Sequence, residues 1–257
     1  MIKLSVVIIT FNEEKNIRRC LESVRDVADE IIVVDSHSND KTRDICLEYN
    51  VCFHQNKFKG YIEQKNFANK LASHDHILSM DADEALSERL RKSILLVKEN
   101  WQYDAYFMNR LTNYCGKWIR HSGWYPDRKI RLFDRRKAKW DGKKIHEKLF
   151  LEKGSKTAFL EGELLHYSFY SIEQHSNQIN KFSGIKAEVM FEDGKRSSVC
   201  KIVCRPFFTF IQNYLFKLGF LDGLHGYLIC RNSAHSTFLK YSKLYKLQKA
   251  EKQKSTL

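Results

Sequence analysis

Glycine and proline are scarce here, with 11 and 2 residues in a chain of 257. That excludes collagen-like and low-complexity architectures, and no flexible linker divides the chain. No repeat at solenoid spacing is visible. No stretch of about 18 uncharged apolar residues occurs, so no membrane-spanning helix is expected. The first residues lack a basic segment and a small-residue cleavage site, and do not read as a signal peptide. The seven cysteines are odd in number and scattered, with no CxxC pair. A cysteine-built zinc site is therefore not expected, and a reducing compartment fits best. Neither GxGxxG nor GxxxxGK[ST] follows the first apolar run, which argues against dinucleotide oxidoreductases and P-loop enzymes. The basic charge makes a nucleic-acid-binding protein the alternative from a different class, but RRM, KH, helix-turn-helix and zinc signatures are missing, so no nucleic-acid partner is expected.

What is present is enough apolar sequence, 43% of residues, for a sizeable core. The formal net charge is +13, and it is unevenly placed: from Lys195 onward there are twelve Lys/Arg against two Asp/Glu. This contrast suggests a boundary near residue 195, with one domain over 1–195 and an amphipathic, basic helical region over 196–257. The pattern changes again near residue 100, which splits the former into 1–100 and 101–195.

The first hundred residues alternate apolar runs with helical periodicity. Leu4–Thr10 is a near-continuous apolar run, as a strand covered on both faces requires. Glu13–Val27 carries Ile17, Leu21 and Val24 at helical spacing, with Asn12 as candidate N-cap. Ile31–Asp35, Val51–His54 and His76–Met80 read as strands, and Asp40–Tyr49, Tyr61–Ala72 and Ser87–Lys98 as helices. Such alternation predicts an α/β fold with a mostly parallel sheet flanked by helices, and ligands bound beyond the strands' carboxyl ends. Later, 103–110, 129–133 and 144–151 read as strands and 171–191 as a helix. Residues 205–241 read as one or two amphipathic helices interrupted by Gly219, Gly223 and Gly226.

The strand ends hold the polar groups that could carry chemistry. Asp81-Ala82-Asp83-Glu84 follows an apolar strand. Two carboxylates one residue apart on a tight connection can converge on a hard cation such as Mg²⁺ or Mn²⁺. The alternative is an acidic helix N-terminus. Asp35 ends the second strand and could accept hydrogen bonds from a ribose or a base edge, or cap a turn. Thr10, Asn12 and Glu13 share that rim.

Four ordered motifs resemble the family 2 inverting glycosyltransferases of GT-A (Rossmann-like) fold. They are Val6–Glu13, Glu30–Ser36, Gln64-Lys65-Asn66 and Leu78–Glu84. Gly123–Asp127, Ile130-Arg131-Leu132-Phe133, Ile145-His146-Glu147 and Gly219–Gly223 are similar to the bacterial lipopolysaccharide-core β-glucosyltransferase subgroup. The resemblance implies a catalytic domain over 1–195, with a nucleotide-binding half (1–100) and an acceptor half (101–195), a nucleotide-sugar donor, typically UDP-glucose, and a lipid-anchored glycan acceptor. It implies nucleoside contacts from Asn12, Glu13 and Asp35, Lys65 near the nucleotide, and a divalent metal on Asp83 with Asp81 nearby. Inversion needs a carboxylate to take the acceptor's proton; Asp127 and Glu147 are the candidates, with Glu147 favoured slightly. His146 and His166 are candidate partners of the base or metal ligands, and His166, at a strand end after Leu164-Leu165, ranks first as a ligand. Trp118, Trp124, Tyr125 and Trp140 could stack on an acceptor sugar or fill the core.

A polyprenyl-phosphate sugar synthase shares the donor half, but usually adds spanning helices. A lipid-anchored acceptor implies work at the cytoplasmic face of a membrane. The tail has the composition to dock there, with Phe207, Phe208, Phe210, Ile211, Leu215, Phe216 and Leu218 beside its lysines. Alternatively, these aromatics pack inward and only the final lysines are solvated.

Overall fold

The computed structural model describes residues 1–143 and 146–254. The strand β1 (Leu4–Thr10) is buried along its whole length. After it come α1 (Ile17–Val24), β2 (Glu30–Asp35), α2 (Thr42–Leu47), β3 (Cys52–Gln55), α3 (Tyr61–Leu71) and β4 (His76–Asp81). β1 pairs in parallel with β2 and β4, and β3 extends the sheet beyond β2. Alternate residues of a strand face opposite sides. Val6, Ile8, Leu78 and Met80 therefore pack with Ile17, Leu21 and Val24 of α1 on one side. Val7, Ile9, Ile32, Val34 and Ile77 pack on the other, with Ala68 of α3.

The sheet then changes character. β5 (Glu84–Leu86), α4 (Glu88–Glu99), β6 (Ala105–Tyr114), β7 (Lys117–Ile119) and β8 (Asp127–Asp134) follow, then β9 (Ala138–Lys143), β10 (His146–Leu151) and β11 (Thr157–Phe169). The order is β3-β2-β1-β4-β8-β6-β11-β5, with β7 on β6 and a separate β9–β10 hairpin. β8 is antiparallel to β4, β6 to β8, and β5 to β11. The α/β class and the flanking helices stand as expected; the parallel order ends at β4, and the other half of the sheet is antiparallel. The long strand β11 runs unbroken through Glu161-Gly162-Glu163 and carries no alternating pattern that would announce it.

Local differences have local causes. Asn12 does not cap α1. Its φ is +55°, its amide donates to Ser38 Oγ at 2.8 Å, and its Oδ1 accepts from Asn39 N at 2.9 Å. It clamps two loops together, and the helix starts only after a turn through residue 16. Ser87 does cap α4, accepting from Leu90 N at 3.3 Å. Asp81-Ala82-Asp83 leads into β5 rather than a helix, so the helix-terminus reading of this motif falls. The start of the expected strand at 144 and Ile145 lie outside the described residues, as do the side chains of Lys143, His146, Lys252 and Lys254.

Two compact units divide the chain, Met1–Leu111 with Asp127–Tyr167, and Thr112–Pro126 with Ser168–Leu257. The division differs from the boundary at 195 suggested by charge. The reason is packing: α5 (Ile172–Glu192) and α6 (Val199–Ile211) both lie against α7 (Gly223–Lys254) in the second unit. A π-helical turn, Gln212–Phe216, and a 3-10 turn, Gly219–Asp222, join α6 to α7. Asp222, 3% exposed, holds this junction by accepting from His121 N at 2.9 Å and Arg120 N at 3.3 Å. No helix among the described residues is long and apolar enough to cross a membrane.

Gly226 lies inside α7, where a Cβ would stand 1.9 Å from the Gly219 carbonyl oxygen. The backbone approach itself demands glycine. Gly226→Ala is expected to lower stability by roughly 2 kcal/mol in urea unfolding, although alanine favours helix by up to about 1 kcal/mol. Unchanged or increased stability would contradict this packing.

Candidate active site

Three parallel strands end side by side, Thr10 opposite Asp35 and Ile9 opposite Asp81. At this rim lies a chain of ion pairs. Arg131, 3% exposed on β8, places Nη2 at 2.7 Å from Asp81 Oδ2 and at 2.7 Å from Glu84 Oε1. Lys65 reaches from α3 to within 3.0 Å of Asp81 Oδ1 and donates to Oδ2 at 3.4 Å. Glu84 Oε2 accepts from the Asp81 amide at 3.0 Å, and Arg110 stands 3.6 Å from Glu84 Oε1. Arg110 also holds Asp127 at 2.8 Å, which Lys129 approaches at 3.0 Å. The Trp140 ring covers the cations, 4.6 Å from Lys65 Nζ and 5.8 Å from the Arg131 guanidinium carbon.

The two aspartates of the motif therefore differ. Burial pushes the Asp81 carboxyl up, but Arg131 and Lys65 outweigh it and hold the group well below the usual carboxylate range. Asp83 has no lysine or arginine partner among the described residues. Its Oδ2 faces His166 Nε2 at 3.1 Å, with side-chain exposures of 25% and 14%. β11 brings His166 there by pairing it with Glu84 of β5, and the Tyr167 amide donates to the Asp83 carbonyl at 2.9 Å. Glu13 belongs to the same neighbourhood. Burial, and then the charges of Asp83 and Asp40, push its pKa up to about 7 against the lowering hydrogen bond from Asn16. Tyr61 marks the extent of the acidic field. Its phenol is raised by burial, then by Asp81, Glu147, Asp83 and Glu13.

The remaining candidates separate. Thr10 Oγ1 is buried with no hydrogen-bond partner among the described residues, at the end of β1. Asp35 is wholly buried and accepts from the Ser38 amide at 2.8 Å and from the Ser38 hydroxyl. These bonds tie the end of β2 to the loop that follows it. Lys65 is committed to Asp81. Asp127 is bound by two cations, whereas Glu147, half-buried on β10, makes no side-chain hydrogen bond or ion pair to the described residues. Among the aromatics, Trp140 is 4% exposed and packs on Phe133, so it belongs to the core. In the second unit Trp124 packs against Tyr114, Phe169 and His175. Arg131 and Glu84 lie in recognisable motifs and Arg110 in none, but nothing in the sequence announces their pairing: Arg131 lies 47 and 50 positions from its carboxylate partners.

Residues 5–162 match the profile of a family described as glycosyl transferase family 2. The chain is 30% identical over 257 residues to an uncharacterised glycosyltransferase of Rickettsia typhi, covering 96% of this chain and 88% of the relative. It is also 30% identical over 249 residues to the lipopolysaccharide core biosynthesis glycosyltransferase LpsC of Rhizobium meliloti, covering 94% and 92%. Among solved structures, S. aureus TarS 1-349 in complex with UDP-GlcNAc aligns at a TM-score of 0.47 and 15% identity, covering 98% of this chain and 92% of that one.

Arg131→Met would remove the close cation from fully buried Glu84 and leave Asp81 with Lys65 alone. At neutral pH this is expected to cost about 3–5 kcal/mol of stability in urea unfolding. The dependence on pH separates parent from variant. In the parent, the lowered Asp81 group contributes fully above its unfolded value of about 3.9 and the contribution is lost as pH falls through the folded value. In the variant Asp81 keeps Lys65 alone, so this contribution, and with it the loss of stability toward acid, is smaller. A variant as stable as the parent at pH 7 would contradict the bridging role.

Proposed function

This chain belongs to glycosyl transferase family 2, and we propose that it transfers glucose from UDP-glucose, with inversion, to a lipid-linked glycan of the cell envelope. The observation that carries the reading is the division within the acidic motif. Asp81 is neutralised by Arg131 and Lys65, while Asp83 faces His166 without a cationic partner. The name of the relative LpsC supports an acceptor of lipopolysaccharide-core type.

The donor set fits a small divalent cation. One carboxylate and one imidazole face each other at a site where burial, and then the charges of Asp83 and Asp40, raise Glu13. Two protein donors leave positions for diphosphate oxygens and water, which suits Mn²⁺ or Mg²⁺. Asp83 and His166 would hold it, and Asp81 would anchor the turn rather than ligate. Bound there, the metal would neutralise charge on the departing diphosphate. Thr10 Oγ1, lacking a partner, is suited to donate to the nucleotide, with Asn12, Glu13 and Asp35 beside it on the rim. Lys65 acts at one remove, by fixing Asp81. Glu147 is the better base: its oxygens are open, whereas those of Asp127 are taken by Arg110 and Lys129. The acceptor hydroxyl gives its proton to Glu147 as its oxygen forms the new bond at the anomeric carbon and the UDP oxygen leaves.

Two sets of variants test this. Asp83→Ala should lower transfer at least about 100-fold, consistent with loss of several kcal/mol of transition-state stabilisation. Transfer that survives both this change and EDTA would rule out the metal. Glu147→Gln should lower turnover roughly 10²–10⁴-fold with UDP binding kept, whereas Asp127→Asn should change it less than about tenfold. The reverse ranking would move the base to Asp127.

A further inference from the structure

Helix α6 is built the wrong way round for a helix at a water surface. A surface helix normally turns its apolar stripe inward and its polar face outward. Here Val199, Val203 and Phe207 recur at a spacing of four, with Phe208 and Leu215 continuing the stripe, and all five are exposed. Phe207 is 63% exposed, Phe208 64% and Phe216 79%. These side chains do not stand in for a missing core. The side of α6 toward α7 is supplied separately by half-buried Ile202, Pro206 and Phe210, the last 6.0 Å from the Tyr227 ring. The turn after α6 continues the exposed apolar surface through Leu218, Phe220, Leu221 and Leu224. Contiguous apolar surface on this scale marks an interaction site.

We propose that the outer stripe of α6 and the turn that follows it insert into the headgroup layer of an anionic phospholipid bilayer. The charges select this occupant. Lys201, Arg205 and Lys217 are exposed along the stripe, and α6 carries no acidic residue. From residue 195 onward there are two carboxylates: Asp222 is buried against His121, and Glu251 is paired with Arg196 at 3.0 Å. The surface is thus positive as well as apolar, the combination that an interfacial helix needs. A second copy docking face to face would oppose Lys201 and Arg205 with like charges. Since no described helix is long and apolar enough to cross, the association lies in the interface plane. Phe210 and Ile211, by contrast, are half-buried, so only part of the apolar tail serves this face. The inference is independent of donor and metal chemistry.

Sedimentation of the full chain with vesicles tests it, using phosphatidylcholine alone or mixed with phosphatidylglycerol, at low and high salt. Binding is expected to the mixed vesicles, weakened by salt. Phe207→Ser, Phe208→Ser and Phe216→Ser combined should weaken it at least about tenfold, and Lys201→Glu with Arg205→Glu should abolish the preference for anionic lipid. Unfolding midpoints and UDP binding should stay parental in both, because all five side chains are exposed. Failure to bind mixed vesicles at low salt would overturn the proposal, as would equal binding to neutral vesicles or parental binding by the triple variant. A dimer in lipid-free solution that the triple variant dissolves would assign the face to a second copy instead.

Discussion

One guanidinium holds the two halves of the sheet to a common purpose. Arg131 projects from β8, the first antiparallel strand, and grips both Asp81 at the end of β4 and Glu84 at the start of β5. The connection between those carboxylates is Ala82-Asp83. Fixing its two ends fixes where the Asp83 carboxylate points, and β11 then delivers His166 opposite it. Buried ion pairs of this kind add little net stability, since the desolvation of each charge offsets most of the attraction. Their effect is positional. Trp140 closes over the cations and keeps water from loosening the arrangement.

The same network divides labour between chemically identical residues. Asp81 and Asp83 are both aspartates on one short turn, yet one is surrounded by cations and the other is not. Electrostatics thus leaves a single carboxylate of the motif available to a ligand. The division extends to the candidate bases: Arg110, reaching from Glu84 to Asp127, ties up one carboxylate and leaves Glu147 open. A glycosyltransferase must bring a doubly charged donor and a proton acceptor into one cleft. Under the proposed function, anchoring the surplus carboxylates to fixed arginines lowers the repulsion that an anionic donor would meet there.

Much of this was legible in the sequence where the signal is local. The apolar run Leu4–Thr10, the helical spacing of Ile17, Leu21 and Val24, and an acidic motif directly after a strand all report on residues near one another. What escaped is long-range. The antiparallel half depends on pairing partners dozens of residues apart, and β11 has no clean alternation. Arg131 stood inside a recognisable motif, but its role exists only through contacts with Asp81 and Glu84. Asn12 looked like a cap because its type suits one, and a positive φ with a partner at Ser38 decided otherwise. The glycines before and within α7 looked like interruptions, whereas Gly226 permits a close backbone contact. In α6 the apolar residues from Phe207 onward were visible, but the direction they face is a property of packing.

The central claim is that Asp83, which has no lysine or arginine partner among the described residues, and His166 opposite it recruit a divalent cation together with the donor's diphosphate. Calorimetric titration of UDP into the full chain, with and without Mn²⁺, tests this most directly. The account predicts that Mn²⁺ tightens UDP binding at least about tenfold, and that His166→Ala removes most of that gain while metal-free binding stays unchanged. Equal UDP affinity with and without Mn²⁺ would contradict it.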